Sequence, residues 1–243
     1  MRKKVKKIDR RKNYYLTIDT ETANSLDNPL VYDLGGAIHD RLGNVYETFS
    51  FVIYEIFVGE KELMKSAYYA KKLPQYEVDL KAGQRKMVRW LTAKKKIQEL
   101  TEKYNVKAII AHNMPFDYRA LSTTQRYLTN SKYRYFLPYG IPLWCTLRMA
   151  NSVITNQVSY KRWAEENGYI VRGRPRATAE ILYRYITGNN EFVEAHTGLE
   201  DVLIEKEIFV QALRQKKKIR KHAYNSREKT IGEKLFRGWE VAV

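Results

Sequence analysis

The sequence predicts a mixed α/β fold, in which a sheet begins with antiparallel strands, continues with parallel ones and is flanked by helices. Three observations predict it. Three β-rich stretches near residues 14–18, 30–39 and 45–54 are joined by short turn-forming segments. A short, largely apolar run at 106–111 follows an amphipathic stretch, as a buried parallel strand does. The order of elements, βββαβαβα, is that of a mixed sheet.

The first stretch, Tyr14-Tyr15-Leu16-Thr17-Ile18, is aromatic and β-branched, and Asp19 and Glu21 lie at its end. Asn28-Pro29 marks a loop. The second strand, 30–39, carries Gly35-Gly36, where a neighbouring backbone can come close. Asp40 to Asn44 is turn chemistry, and 45–54 is the third strand, completing an antiparallel meander. Residues 55–82 show no clear pattern. A helix is expected over 84–104, with Met87, Trp90, Leu91, Ile97 and Leu100 on its apolar side. After the strand at 106–111, a helix over 116–127 opens near Pro115. Residues 141–145 form another strand. Helices follow near 160–167 and 178–187, the second ended by Gly188. The last helix starts from a capping box, with Thr197 at the N-cap and Glu200 at N3. Leu199, Leu203, Val210 and Leu213 give it a partial apolar stripe.

The 243 residues fit one domain, and an apolar share of 44% supports a real core. No run of about 18 apolar residues predicts a membrane span. The basic N-terminus lacks the apolar stretch of a secretory signal. Cys145 is the only cysteine, which excludes an intrachain disulfide and favours a reducing compartment. A cytoplasmic location, in a bacterial or phage-infected cell, is the expectation. The net charge of +17 is concentrated at the ends. Residues 1–12 hold eight Lys/Arg against one Asp, and 214–243 hold ten against three Glu. The chain therefore divides into a basic tail (1–12), a nearly balanced body (13–213) and a basic extension (214–243). Cationic ends suit a polyanion, although solvated tails that aid solubility have the same composition.

Three short patches carry the chemistry: Asp19-Thr20-Glu21, then His112-Asn113 with Phe116-Asp117, then His196 with Asp201. Asp19 and Glu21, two apart on a strand, point to one face. Paired carboxylates repel unless a cation lies between them, and hard divalent ions prefer such oxygen ligands. Asp117 falls in the first turn of a helix, where negative charge is also favoured by the dipole alone. Five positions on a helix amount to about 500°, so two side chains so spaced diverge by roughly 140°. The capping box leaves His196 in the preceding loop, free to swing while Asp201 stays fixed.

Taken in this order, the three patches resemble the exonuclease motifs of the DnaQ-like, or DEDDh, 3′–5′ exonuclease family, over roughly residues 13–213. Trp144-Cys145-Thr146 and the stretch from Pro175 to Gly188 add to the likeness. The resemblance implies an RNase H-like fold with a five-stranded mixed sheet. It implies that Asp19, Glu21, Asp117 and Asp201 hold two Mg²⁺ or Mn²⁺ ions, roughly 3.5–4 Å apart. His196 would then take the proton of the attacking water, with the four carboxylates completing the catalytic set. Thr20, Thr22, Asn113 and Phe116 would grip the terminal nucleotide. The substrate would be DNA, as single strands or frayed 3′ ends, cut to 5′-mononucleotides, and a replication or repair protein is a possible partner. RNA as substrate, and a non-catalytic nucleic-acid binder, stay open as alternatives. Many family members continue the first motif with Thr-Thr-Gly, where this chain has Thr22-Ala23-Asn24.

Outside these motifs, Arg126-Tyr127, residues 132–136 and Tyr139 interleave cations and rings, which fits either base stacking or internal packing. Arg172, Arg174 and Arg176 form a second basic loop, suited to phosphates or simply to solvent.

Overall fold

The computed structural model describes residues 8–130 and 134–224. Most of the basic tail, Lys132-Tyr133 and the end of the basic extension lie outside the described residues.

The mixed sheet is present, with six strands among the described residues rather than five. β1 (Tyr14–Ala23), β2 (Leu30–Asp40) and β3 (Val45–Ile53) form the antiparallel meander. β4 (Lys86–Val88) pairs parallel with β3 at one edge. β5 (Ile109–Ala111) pairs parallel with β1, and β6 (Leu143–Cys145) with β5. The order across the sheet is β4-β3-β2-β1-β5-β6. β4 is the extra strand: the expected helix over 84–104 begins only at Trp90, because pairing with β3 claims residues 86–88.

Residues 54–82 fold as three short helices, α1 (Tyr54–Phe57), α2 (Lys61–Met64) and α3 (Leu73–Lys81). Then come α4 (Trp90–Lys103), α5 (Met114–Thr129), α6 (Thr146–Val153), α7 (Val158–Glu166), α8 (Ala179–Thr187) and α9 (Gly198–Arg214). Neither α6 nor the hairpin of β7 (Ile170–Val171) and β8 (Arg174–Pro175) was expected. The hairpin turns at Arg172-Gly173, both in the left-handed region, as a tight two-residue turn requires.

The sheet separates two apolar clusters. Leu16, Ile18, Leu34 and Val52 pack with Trp90, Ile97 and Leu121 on one face. Tyr15, Ile110 and Trp144 pack with Leu182, Ile208 and Phe209 on the other. Because strand side chains alternate, β1 addresses both layers. Two expected stripes are corrected. Leu91 of α4 is 62% exposed. In α9 only Val210 of the four expected residues is buried, since the buried side includes Val202, Ile204, Ile208 and Phe209. A helix laid flat on a sheet buries a wider face than a four-residue stripe describes.

The seat of α9 is built from glycine. A Cβ on Gly35 of β2 would overlap the backbone of Gly198 and Leu199, and one on Gly198 would lie 2.6 Å from the Gly35 nitrogen. The close approach expected at Gly35 is therefore the contact with the α9 N-terminus. Around it, buried Arg85 joins four elements. Its guanidinium donates to Asp33 of β2 (3.3 Å), Asp79 of α3 (2.9 Å), Ser50 of β3 (3.0 Å) and Glu200 of α9 (3.0 Å). Asp33 Oδ2 also accepts from Tyr76 Oη (2.7 Å) and from the Gly198 N–H (2.9 Å).

Gly35→Ala is expected to cost about 3 kcal/mol or more, since backbone stands in the way and cannot step aside. Gly188→Ala, with open space but a φ of +72°, is expected to cost only about 1–2 kcal/mol. Urea unfolding of both variants checks this. Equal losses would remove the close approach as the explanation.

Candidate active site

β1 ends between the two helical layers, and the candidate residues gather there. Asp19 and Glu21 share the parity of Tyr15 and Thr17, the side of β1 that faces α9. Thr20 has the opposite parity, and its hydroxyl donates to Asp117 Oδ1 of α5 at 2.8 Å. The switch from antiparallel to parallel neighbours falls at β1, where open α/β sheets form a crevice beyond their strand ends. A cleft of about 680 Å³ occupies this place.

Single oxygens of Asp19, Glu21 and Asp201 lie within 4.8 Å of one another. Asp117 lines the same cleft but is not in that triplet. His196, Thr20, Thr22, Asn113 and Phe116 also line it, so the nine candidate catalytic, metal-holding and nucleotide-gripping residues come together. Among the described residues, six carboxylates line this cleft (Asp19, Glu21, Asp117, Glu194, Asp201 and Glu205) against a single guanidinium, that of Arg176. Asp19 Oδ2, Asp201 Oδ1 and Glu205 Oε2 are buried without a hydrogen-bond partner. Orphaned buried carboxylate oxygens are costly, and divalent cations with oxygen ligands satisfy them. The donor set thus fits hard cations.

The electrostatics follow from burial and crowding. Burial, and then the charge of Glu205, pushes the Asp19 carboxyl well up. Burial and the charge of Asp201 push Glu21 up to about 9. Burial and Glu194 push Asp201 up to about 8. Asp117 rises to about 7 through burial, against the pull of the Thr20 hydroxyl. Burial and the charge of Asp117 push Glu205 well up.

The start of α9 differs from the expected capping box. Thr197 Oγ1 donates to Glu200 Oε2 (2.7 Å) instead of capping a backbone N–H. Asp201 Oδ2 takes the Thr197 N–H (3.1 Å), a residue later than the box places its acid. Arg85 explains the change, because it draws Glu200 away from the helix end. His196 does precede the helix, with a left-handed φ of +53°. It is not free to swing: its ring stacks on Tyr69 at 4.1 Å and 10°, and Nδ1 lies 3.9 Å from Glu194 Oε2. Partial burial lowers its pKa.

His112 has a different place from the acids beside it. Nε2 donates to the Ala177 carbonyl and Nδ1 accepts from the Thr146 hydroxyl, both at 2.9 Å. With burial pushing it down to about 4, it is a neutral strut between β5, α6 and the loop before α8. Of the basic loop, Arg176 lines the cleft, whereas Arg172 and Arg174 sit on the exposed hairpin. Sequence reasoning missed Tyr69, Glu194 and Glu205. Glu205 was within reach, since it lies one helical turn past Asp201 on the same face.

No family model matches the chain, and no curated protein matches it. Similar solved structures include an Exonuclease I from Methylocaldum szegediense, at 15% identity and a TM-score of 0.49. A zinc-bound complex of E. coli ExoI with single-stranded DNA also has 15% identity and a TM-score of 0.49. The Mg²⁺- and Mn²⁺-bound form of S. pombe Pop2p has 15% identity and a TM-score of 0.39. The matches cover 84%, 85% and 83% of this chain and 41%, 42% and 82% of those chains. The chain thus spans about two fifths of the length of the two Exonuclease I structures. No helix among the described residues is long and apolar enough to cross a membrane.

The raised carboxyls set a pH dependence. Unfolded, they ionise near 4. Folded and metal-free, Asp117, Asp201 and Glu21 hold their protons up to about 7, 8 and 9. The folded state therefore binds more protons in this window, and stability falls as pH rises through it. In EDTA, Asp201→Asn is expected to gain thermal stability over wild type between pH 6 and 9, with the gap widening as pH rises. A gap that closes over this range, measured by scanning calorimetry, would contradict the crowding of charge.

Proposed function

We propose that the chain is a metal-dependent 3′–5′ exonuclease that hydrolyses DNA from single-stranded or frayed 3′ ends to 5′-mononucleotides. The observation that carries this reading is the convergence of Asp19, Glu21 and Asp201 within one cleft, with Asp117 alongside and His196 held off the helix. In this reading Asp19, Glu21, Asp117 and Asp201 hold two Mg²⁺ or Mn²⁺ ions. Bound there, the cations activate water and neutralise charge on the phosphate. Each carboxylate gives up its proton as a cation binds, so affinity rises with pH.

His196 is the proton acceptor. Its lowered pKa keeps the imidazole neutral at pH 7–8. With Nδ1 turned to Glu194, Nε2 is left to take the proton from water. Stacking on Tyr69 fixes the plane of the ring. In this reading Asn113 and Phe116, at the opening of α5, and Thr22, past the first motif, grip the terminal nucleotide, and their place in the cleft lining supports it. Thr20 has a further duty, because its hydroxyl orients Asp117. A reducing, cytoplasmic setting and a role in replication or repair fit this activity.

End-labelled oligonucleotides test the reading. A 5′-labelled strand should shorten stepwise from its 3′ end in Mg²⁺ or Mn²⁺ and stay intact in EDTA. Asp19→Ala and Asp201→Ala should lose more than the roughly 10–100-fold that losing an outer partner of a metal ligand costs. His196→Ala should lose about 10²–10⁴-fold in rate and keep its Mn²⁺ affinity. Faster digestion of a matched RNA strand would move the substrate to RNA. Metal-independent binding without cleavage would leave a nucleic-acid binder.

A further inference from the structure

The residues beyond α9 do not leave the domain at once. The chain returns along β6, the last strand of the sheet. The Cys145 N–H donates to the Lys221 carbonyl (2.8 Å) and the Ala223 N–H to the Leu143 carbonyl (2.9 Å), on either side of a bridge between Trp144 and His222. Farther back, the Arg220 N–H donates to Ser152 Oγ (3.2 Å). Gln157 Nε2 donates to Gln215 Oε1 (2.8 Å). Residues 215–223 are therefore stapled at three places, which holds their backbone against the domain.

Between this segment and α6 runs a groove of about 690 Å³, lined by Arg148, Asn151, Ser152, Asn156, Lys218, Ile219 and Arg220. Among the described residues, three cations and no carboxylate line it. Lys218 and Arg220, two apart, reach the same wall, and both are exposed. Lys221 turns aside and covers the Trp144 ring at 4.2 Å. The side-chain amides of Asn151 and Asn156 add donors suited to phosphate oxygens. Leu147 lines the carboxylate cleft, and Arg148, the next residue of α6, lines the groove. The two sites thus share one helix, and consecutive residues stand only about 3.8 Å apart along the chain.

We propose that this groove is a second phosphodiester-backbone site, which holds the body of a nucleic-acid strand whose 3′ end occupies the cleft. It rests on the nuclease reading for what lies in the cleft, but the groove's own charge and shape define its ligand. It divides labour within the molecule. The cleft is lined by carboxyl groups and offers a polyanion little attraction until cations fill it, whereas the groove attracts the strand with or without them. Grip on the backbone is independent of base sequence and weakens with salt.

The test is Lys218→Glu/Arg220→Glu in the full chain, beside a charge-matched control, Lys81→Glu/Lys95→Glu, at exposed positions on other elements. Fluorescence anisotropy with labelled dT30 in EDTA reads strand binding without cations in the cleft, and the contrast between the two variants isolates the groove. The groove variant is expected to bind about tenfold or more weakly than wild type. Its salt slope should be shallower by about 1.4, the share of two single-strand phosphate contacts. The control should lose less than about threefold. Hydrolysis of thymidine 5′-monophosphate p-nitrophenyl ester in Mn²⁺ reads the cleft alone, and should stay within about twofold in both variants. Equal loss of dT30 binding in the two variants, no loss in either, or a matching fall in ester hydrolysis in the groove variant overturns the proposal. If wild type binds dT30 with the expected contrast but hydrolyses no phosphodiester, the groove stands and the nuclease reading fails.

Discussion

Helix α9 can bring Asp201 to β1 because two glycines, Gly35 and Gly198, let backbone meet backbone. Gly35 pairs with Asp19 in the β1–β2 ladder, so the contact that seats the helix is one strand away from the first carboxylate. Asp33 receives the Gly198 N–H, and Arg85 ties Asp33 to Glu200 on the same helix turn. Angle, depth and rotation of the α9 N-terminus are thereby set from the meander side. His196 and Asp201 take their positions from that seat, and Glu205 follows one turn later.

The same seat creates an electrostatic conflict. It drives the α9 acids against those of β1 and α5, with Arg176 the one guanidinium among the described residues of the cleft lining. Elsewhere the fold pairs its buried charge: Arg85 meets Asp33 and Asp79 with little exposure on any of the three. In the cleft that care is missing, and buried carboxylate oxygens are left without partners. In a chain of net charge +17, such local excess of acid is a cost that divalent cations offset. Local rules are most often broken at functional sites.

The sequence was most readable where a motif is local. The meander, the short buried strand before His112, the Gly188 helix end and the close approach at Gly35 all follow from neighbours within a few residues. So do the acids of the three patches, whose spacing alone puts Asp19 and Glu21 on one face. Long-range partners were not readable. Residues 86–88 look helical until β3 is beside them, and the Thr197 box looks complete until Arg85 takes Glu200. Tyr69 could not be foreseen as the stacking partner of His196, because 127 positions separate them. The place of the basic extension was not readable either: residues 221–223 complete the β6 edge.

The central claim is that a carboxylate cluster seated by α9 directs water onto a terminal phosphodiester. Digestion of a DNA oligonucleotide in ¹⁸O-labelled water, with mass spectrometry of the released nucleotide, addresses it directly. The account predicts nucleoside 5′-monophosphate carrying one ¹⁸O on phosphorus, formed only when Mg²⁺ or Mn²⁺ is present. Release of 3′-phosphates, or product formed equally well in EDTA, would contradict it.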